Sequence, residues 1–286
     1  MTAAHPGTRR RGLLPGRVRR SLPGVGEGDR RRIAGTVAIA AALERGEPLR
    51  LIVVSAEAGD DTRALEQPAR AAGVRIQEVG TRHFARLSPP GESAEAVALA
   101  GAAPDVPARE VMTREGAAWL LVGVAYPGNA GFAIRTAEVS GAAGVFLDCD
   151  FDHARRREAL RASMRADRFL PVHWLPADEV IAEARAAGRR VLAVEDVGAE
   201  APWRSDLRGG VLLVVGGETH GVPEAVLHAC DGAIRIPMAG FIRSYNLQAA
   251  VAIVAAERTR QLEAQAAQTE NNPPLEAQAA STEDIQ

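Results

Sequence analysis

Residues 211–257 read VLLVVGGETHGVPEAVLHACDGAIRIPMAGFIRSYNLQAAVAIVAAE, and the pattern of this stretch decides the fold. Residues 211–215 form an unbroken apolar run, as in a strand buried on both faces. The run stops at Gly216-Gly217-Glu218, and Pro223 opens a helical segment. A second short run follows over 233–237, and Ser244-Tyr245-Asn246 opens a long alanine-rich helix. Two polar turns thus follow two buried strands. In open α/β sheets ligands bind beyond the carboxyl ends of the strands, where helix N-termini present unpaired amides. A site is expected there.

Upstream, 117–124 is a buried strand broken by Tyr126-Pro127-Gly128. Asn129 is a helix-capping type and is expected to cap the helix that carries Arg135, with Gly131 where backbone must approach something closely. Strands are expected at 145–147 and 191–194, a basic helix over 155–165, and a helix over 177–187 with Val180, Ile181 and Ala184 inward. This alternation argues for a mainly parallel sheet with helices on both faces. Before it, Ile33, Val37, Ala40 and Ala41 recur at helical spacing from Arg30 to Gly46. A strand over 49–54, a helix over 61–72, a strand over 74–79, a helix over 81–87 and a strand over 94–100 follow. This rhythm predicts a separate small α/β domain.

Charge and cysteine usage narrow the class. The 286 residues sum to a net charge of -2, which argues against coating nucleic acid through bulk charge. The first 32 residues nonetheless hold nine arginines, and 263–286 is acidic and free of basic residues. The arginine-rich start is either an arm that grips RNA backbone or a solvated extension. Cys149 and Cys230 stand alone, without CxxC or Cys/His spacing, so neither a structural disulfide nor a metal site is expected. No apolar run is long enough for a bilayer, so a cytoplasmic protein is expected, with no membrane partner. The GVGEG near residue 24 lacks a preceding strand and is no dinucleotide fingerprint.

Three segments together resemble the SPOUT superfamily, in its SpoU/TrmH-type branch of RNA ribose 2′-O-methyltransferases. They are Asn129-Ala130-Gly131-Phe132-Ala133-Ile134-Arg135, Gly216-Gly217-Glu218-Thr219-His220-Gly221, and Ile236-Pro237-Met238 followed by Ser244-Tyr245-Asn246-Leu247. The resemblance implies an α/β fold with a trefoil-knotted, mainly parallel sheet, preceded by a small α/β substrate-binding domain. It implies S-adenosyl-L-methionine as cofactor, RNA as partner (ribosomal RNA ahead of transfer RNA), and a homodimer. The expected layout is a basic disordered arm at 1–29, an RNA substrate-binding domain at 30–100, a linker at 101–110, the methyltransferase domain at 111–262 and a low-complexity tail at 263–286.

The resemblance assigns catalysis to Arg135, Asn129, Glu218, Ser244 and Asn246. It assigns cofactor binding to Val215, Gly216, Gly217, Gly221, Ile236, Pro237, Met238, Ser244, Tyr245 and Leu247, and it implies no metal. Arg135 has the plainest chemistry: a guanidinium with a pKa above about 12 is a poor proton acceptor, so its part is to position the substrate phosphate and oxygen. Glu218 also suits a helix cap, and Ser244 and Asn246 are capping types in their own right. Tyr245 stands where the family commonly has Leu or Met, which leaves fine substrate preference open. His220 is given no role. A non-catalytic RNA-binding or ribosome-assembly protein, a transfer-RNA enzyme and a base methyltransferase stay open as alternatives.

Overall fold

Residues 30–87, 94–101 and 104–271 are described in the computed structural model. The basic arm expected at 1–29 and residues 272–286 lie outside the described residues. The chain divides into two units, one containing Arg30–Gly101 and the other drawn from Ala102–Gln286.

The first unit runs β1 (Arg30–Ala34), α1 (Thr36–Glu44), β2 (Leu49–Ser55), α2 (Asp60–Arg63), α3 (Glu66–Ala71), β3 (Arg75–Val79), α4 (Thr81–Leu87) and β4 (Ala96–Gly101). Its four-stranded sheet has the order β1-β4-β2-β3, with β4 antiparallel to both neighbours and β2 parallel to β3. Two expectations need correction. Ile33 belongs to a strand rather than to the first helix, because Gly35 at φ 90 breaks the chain before Thr36. The buried residues of α1 are then Ile39, Ala42 and Leu43, while Val37 is exposed. The single helix expected over 61–72 is two, because the ring of Pro68 excludes a helical bond to the carbonyl four residues back at Ala64, yet suits the first turn of α3.

Glu95 ties this unit together: Oε2 accepts from the Gly59 amide at 3.0 Å and the Thr62 hydroxyl at 2.8 Å. These two bonds hold its carboxyl below the usual range. A group whose folded pKa is depressed contributes stability above its unfolded pKa and loses it as pH falls through the folded value. Protection of β2 and β4 amides in the full chain is therefore expected to fall on acidification, and to fall less steeply in Glu95→Gln. Hydrogen exchange as a function of pH measures this, and parallel curves would rule it out.

The second unit begins with α5 (Ala108–Thr113), β5 (Ala118–Val122), α6 (Pro127–Val139), β6 (Gly144–Asp148), α7 (His153–Ala162), β7 (Val172–Trp174) and α8 (Ala177–Ala186). It continues with β8 (Arg190–Val194), β9 (Val211–Gly216), α9 (Glu224–His228), β10 (Gly232–Ile234) and α10 (Leu247–Asn271). The six strands form one parallel sheet in the order β10-β8-β9-β5-β6-β7. Side chains alternate across it. Trp119, Leu121, Leu213 and Val215 join a core with α6 and α10, and Leu120, Val122, Leu212 and Val214 join one with α5 and α8.

Helix boundaries differ from expectation at three places in this unit. Residues 108–110, expected in the linker, open α5 behind Pro107. The basic helix α7 starts earlier than expected, capped by Asp152, whose carboxylate accepts from the Arg155 amide at 2.8 Å. It stops before Met164 and Arg165, which take left-handed φ of 57 and 61. Finally, the tail expected from 263 is helical as far as Asn271, because Leu262 is buried and carries α10 onward until the Asn272-Pro273-Pro274 break.

Candidate active site

Three polar loops meet at the carboxyl ends of the strands, those leaving β5, β9 and β10. The turn after β9 is built on glycine because nothing larger fits. A methyl group at Gly217 would lie 1.9 Å from the carbonyl oxygen of Gly123, and one at Gly216 would lie 1.9 Å from the carbonyl carbon of Gly221. Gly221 closes the turn at φ 65 with its amide on the Gly217 carbonyl at 3.1 Å. This geometry holds Glu218 half-buried against the loop that leaves β5.

Both oxygens of Glu218 are held there, one by that loop and one by the first turn of α6. Oε1 accepts from Asn129 Nδ2 at 2.5 Å, and Oε2 accepts from the Ala125 amide at 2.9 Å. Asn129 Oδ1 in turn accepts from Asn246 Nδ2 at 3.2 Å, and Asn246 Oδ1 accepts from the Gln248 amide at 2.9 Å, capping α10. One unbroken run of hydrogen bonds therefore joins the loops after β5 and β9 to the start of α10. A carboxylate can only accept, so its contact fixes the Asn129 amide nitrogen toward Glu218 and leaves the amide oxygen to face Asn246.

Asn129 is not the cap of α6. Pro127 takes the first helical position, where its fixed φ suits and its missing N–H costs nothing, and Tyr126 is the capping residue. The asparagine side chain is thereby released for Glu218. Gly131 does meet something closely, namely α7: a methyl there would stand 2.4 Å from the Ala159 carbonyl oxygen. Arg135 is exposed and has no hydrogen bond or ion pair among the described residues, so within one chain it stays outside the bonded cluster. Ser244 is likewise exposed and unbonded among those residues, which leaves Asn246 as the cap of α10.

The other expected residues line the same strand ends. Val215, Ile236 and Leu247 are buried in the core beneath the loops, Met238 is half-buried, and Pro237 and Tyr245 are exposed. Glu195, at the end of β8, was not singled out by the sequence. Its Oε2 accepts from the Val222 amide at 2.8 Å and sits where any side chain at Gly221 would reach. A lone acidic residue after a strand carries no signal that could have found it. Cys149 is unfit for nucleophilic work, since burial pushes its thiol up to about 12.

The layout is that of a parallel α/β protein with helices on both faces and a site of three loops where the strand order reverses beside β5. The chain belongs to the SpoU rRNA Methylase family, whose model matches residues 118–256 and so spans all three loops. The 23S rRNA (guanosine-2'-O-)-methyltransferase RlmB of Xylella fastidiosa is 32% identical over 200 residues, covering 66% of this chain and 72% of that protein. The SpoU methyltransferase AviRb from Streptomyces viridochromogenes, in complex with AdoMet, is 26% identical, with 81% of this chain and 90% of that one covered and a TM-score of 0.50. An AdoMet-bound rRNA methyltransferase from Sinorhizobium meliloti is 26% identical at 82% and 89% coverage, with a TM-score of 0.51.

Proposed function

We infer that this chain is an S-adenosylmethionine-dependent methyltransferase that acts on a ribose 2′-hydroxyl of RNA, ribosomal RNA ahead of transfer RNA. The observation that carries the reading is the hydrogen-bonded run Glu218–Asn129–Asn246, which draws together three separated parts of the chain at the strand ends. The loop over 236–245 suits the cofactor: none of its backbone amides or carbonyls pairs with other backbone among the described residues. Ile236 and Met238 supply apolar surface beside those free groups. Such a loop can read the edge of an adenine and cover its faces, with Val215, Gly216, Gly217, Gly221, Pro237, Ser244, Tyr245 and Leu247 completing the cradle.

When bound, the cofactor supplies an electrophilic methyl on a sulfonium. The protein must hold the 2′-oxygen in line with it and stabilise charge on that oxygen as its proton leaves. In this reading Ser244 and Asn246 orient the hydroxyl, Glu218 and Asn129 fix the loops, and Arg135 holds the adjoining phosphate and the oxygen. Arg135 is flanked on one face of α6 by exposed Phe132 and Val139, a surface suited to a second copy of the chain in a homodimer. A threaded, knotted path fits the way the connection from β8 to β9 closes over α10. The Leu207 amide donates to Gln261 Oε1 at 2.8 Å, and Gln261 Nε2 donates to the Ser205 carbonyl at 2.9 Å. The first unit is assigned to binding structured RNA. The same reading puts its work in the cytoplasm; no helix of the described residues is long and apolar enough to cross a membrane.

The test is methyl transfer from labelled S-adenosylmethionine to ribosomal and transfer RNA, followed by digestion to nucleosides. Label in a 2′-O-methyl nucleoside from ribosomal RNA is the expected result. Label on a base, or cofactor binding without transfer to either RNA, overturns the reading.

A further inference from the structure

Arg155 is the first arginine of α7, and no carboxylate pairs with it among the described residues. Its guanidinium is instead spent on backbone. Nη2 donates to the carbonyl of Ala125, and Nη1 donates to the carbonyl of Asp150 at 3.3 Å. The same group lies 4.5 Å from the centroid of the buried Phe151 ring, which fixes its plane. Phe151 is braced in turn by Arg156, which donates to its carbonyl at 2.9 Å.

Ala125 is the residue whose amide holds Glu218 Oε2. Its backbone is thus gripped on both sides, by a carboxylate at N–H and by a guanidinium at C=O. The next residue, Tyr126, caps α6 and so sets where Asn129 begins its reach to Glu218 Oε1. Arg155 therefore spans the loops leaving two neighbouring strands, β5 and β6, and fixes the one that supplies one donor to Glu218 and leads into the turn of α6 that supplies the other. An arginine fork suits this task, since its planar donors bind two carbonyls in a set geometry that a lysine ammonium does not impose.

We propose that Arg155 is a positioning residue for methyl transfer, acting through Ala125 to hold Glu218 and Asn129 in their working geometry. The proposal rests on the reading of Glu218 given above. Loosening a loop by a fraction of an ångström is enough to matter, because misplacement of reacting groups costs rate steeply even when binding survives.

The test is a double-substitution cycle on the full chain, with kcat and KM for S-adenosylmethionine measured on ribosomal RNA. Arg155→Met is expected to lower kcat about tenfold to a hundredfold with KM changed less than about twofold. Arg155→Lys, which can still reach one carbonyl, is expected to recover part of that loss. In a Glu218→Gln background, Arg155→Met is expected to cost little more, because the group it positions is already gone. Full additivity, or an unchanged kcat in Arg155→Met, overturns the proposal while leaving the function intact. Undiminished turnover in Glu218→Gln itself overturns the reading of the site. Should Arg155→Met fold poorly, the Lys variant carries the same cycle, and additivity there is equally decisive.

Discussion

Arg135→Ala is expected to lower methyl transfer by about a hundredfold to a thousandfold, the cost of removing one group that stabilises charge in a transition state. Affinity for S-adenosylmethionine, measured by calorimetry, is expected to hold within about twofold, since the phosphate and oxygen assigned to Arg135 belong to the RNA and not to the cofactor. The single chain leaves a geometric question that this variant can answer. Arg135 is six residues beyond Asn129 on α6, which places it about 9 Å along the axis and about 120° around it. It faces away from the cluster, on a stripe with Phe132 and Val139, which are 48% and 73% exposed. If the proposed homodimer packs on that stripe, Arg135 would serve the partner's loops rather than its own. Mixing Arg135→Ala chains with Asn129→Asp chains, each inactive alone, is then expected to restore about a quarter of wild-type activity, because random pairing makes half the dimers mixed and each mixed dimer holds one intact site. If Arg135 serves its own chain, every site in the mixture keeps a defect and no activity returns. The Asp variant is a strict partner for this experiment, since it sets a second carboxylate where Glu218 Oε1 now accepts from Asn129 at 2.5 Å.

The strand-end loops were legible because polar turns follow apolar runs, and the resemblance then pointed to Asn129, Glu218 and Asn246 within them. The structure gives the order of their bonding: Glu218 to Asn129 to Asn246. What the residue pattern could not show is backbone. Ala125 contributes an amide and a carbonyl, which every residue has, and Arg155 reads as one more solvated arginine in a basic run. Glu195 was hidden for the same reason, since its partner is the Val222 amide. Errors in the fold have a similar origin. Ile33 fits a helical period by chance, and only its pairing with Ala98, far along the chain, makes it a strand. The stretch from residue 263 looks like low complexity until the buried Leu262 is seen to extend α10. The parallel sheet itself was plain, because strands buried on both faces leave continuous apolar runs.

Arg189→Met is expected to destabilise the second unit by about 3 kcal/mol, the scale for stripping a buried charged donor from its acceptors. Arg189 is only 4% exposed and pairs with no carboxylate among the described residues; its partners are carbonyls. Nε donates to Met112 at 2.7 Å, Nη1 to Gly116 at 2.7 Å and to Val211 at 3.2 Å, and Nη2 to Arg114 at 2.5 Å. These bonds tie the end of α5 and the approach to β5 onto β9, beneath the end of the sheet opposite the site. Burial, with Arg258 nearby, pushes the Arg189 pKa down to about 10. For a cation a depressed folded pKa means that the unfolded chain binds the proton more tightly, so stability rises with pH as the folded value is passed. Below that value both states keep the proton, and the cost of burying the charge is present throughout the neutral range, offset by the four carbonyls. Methionine removes the charge and its desolvation cost, but it takes the guanidinium donors away from four backbone carbonyls around a side chain that is only 4% exposed. Leaving buried polar groups unmade outweighs the relief, which sets the sign of the change. Lysine is expected to recover little, because one ammonium cannot face carbonyls spread over Met112 to Gly116 and Val211. Urea denaturation of the full chain, followed at the buried Trp119, measures the effect. A midpoint unchanged or raised in Arg189→Met would mean that the relieved desolvation exceeds the lost bonds, and that the arginine is kept at this place at a cost to stability.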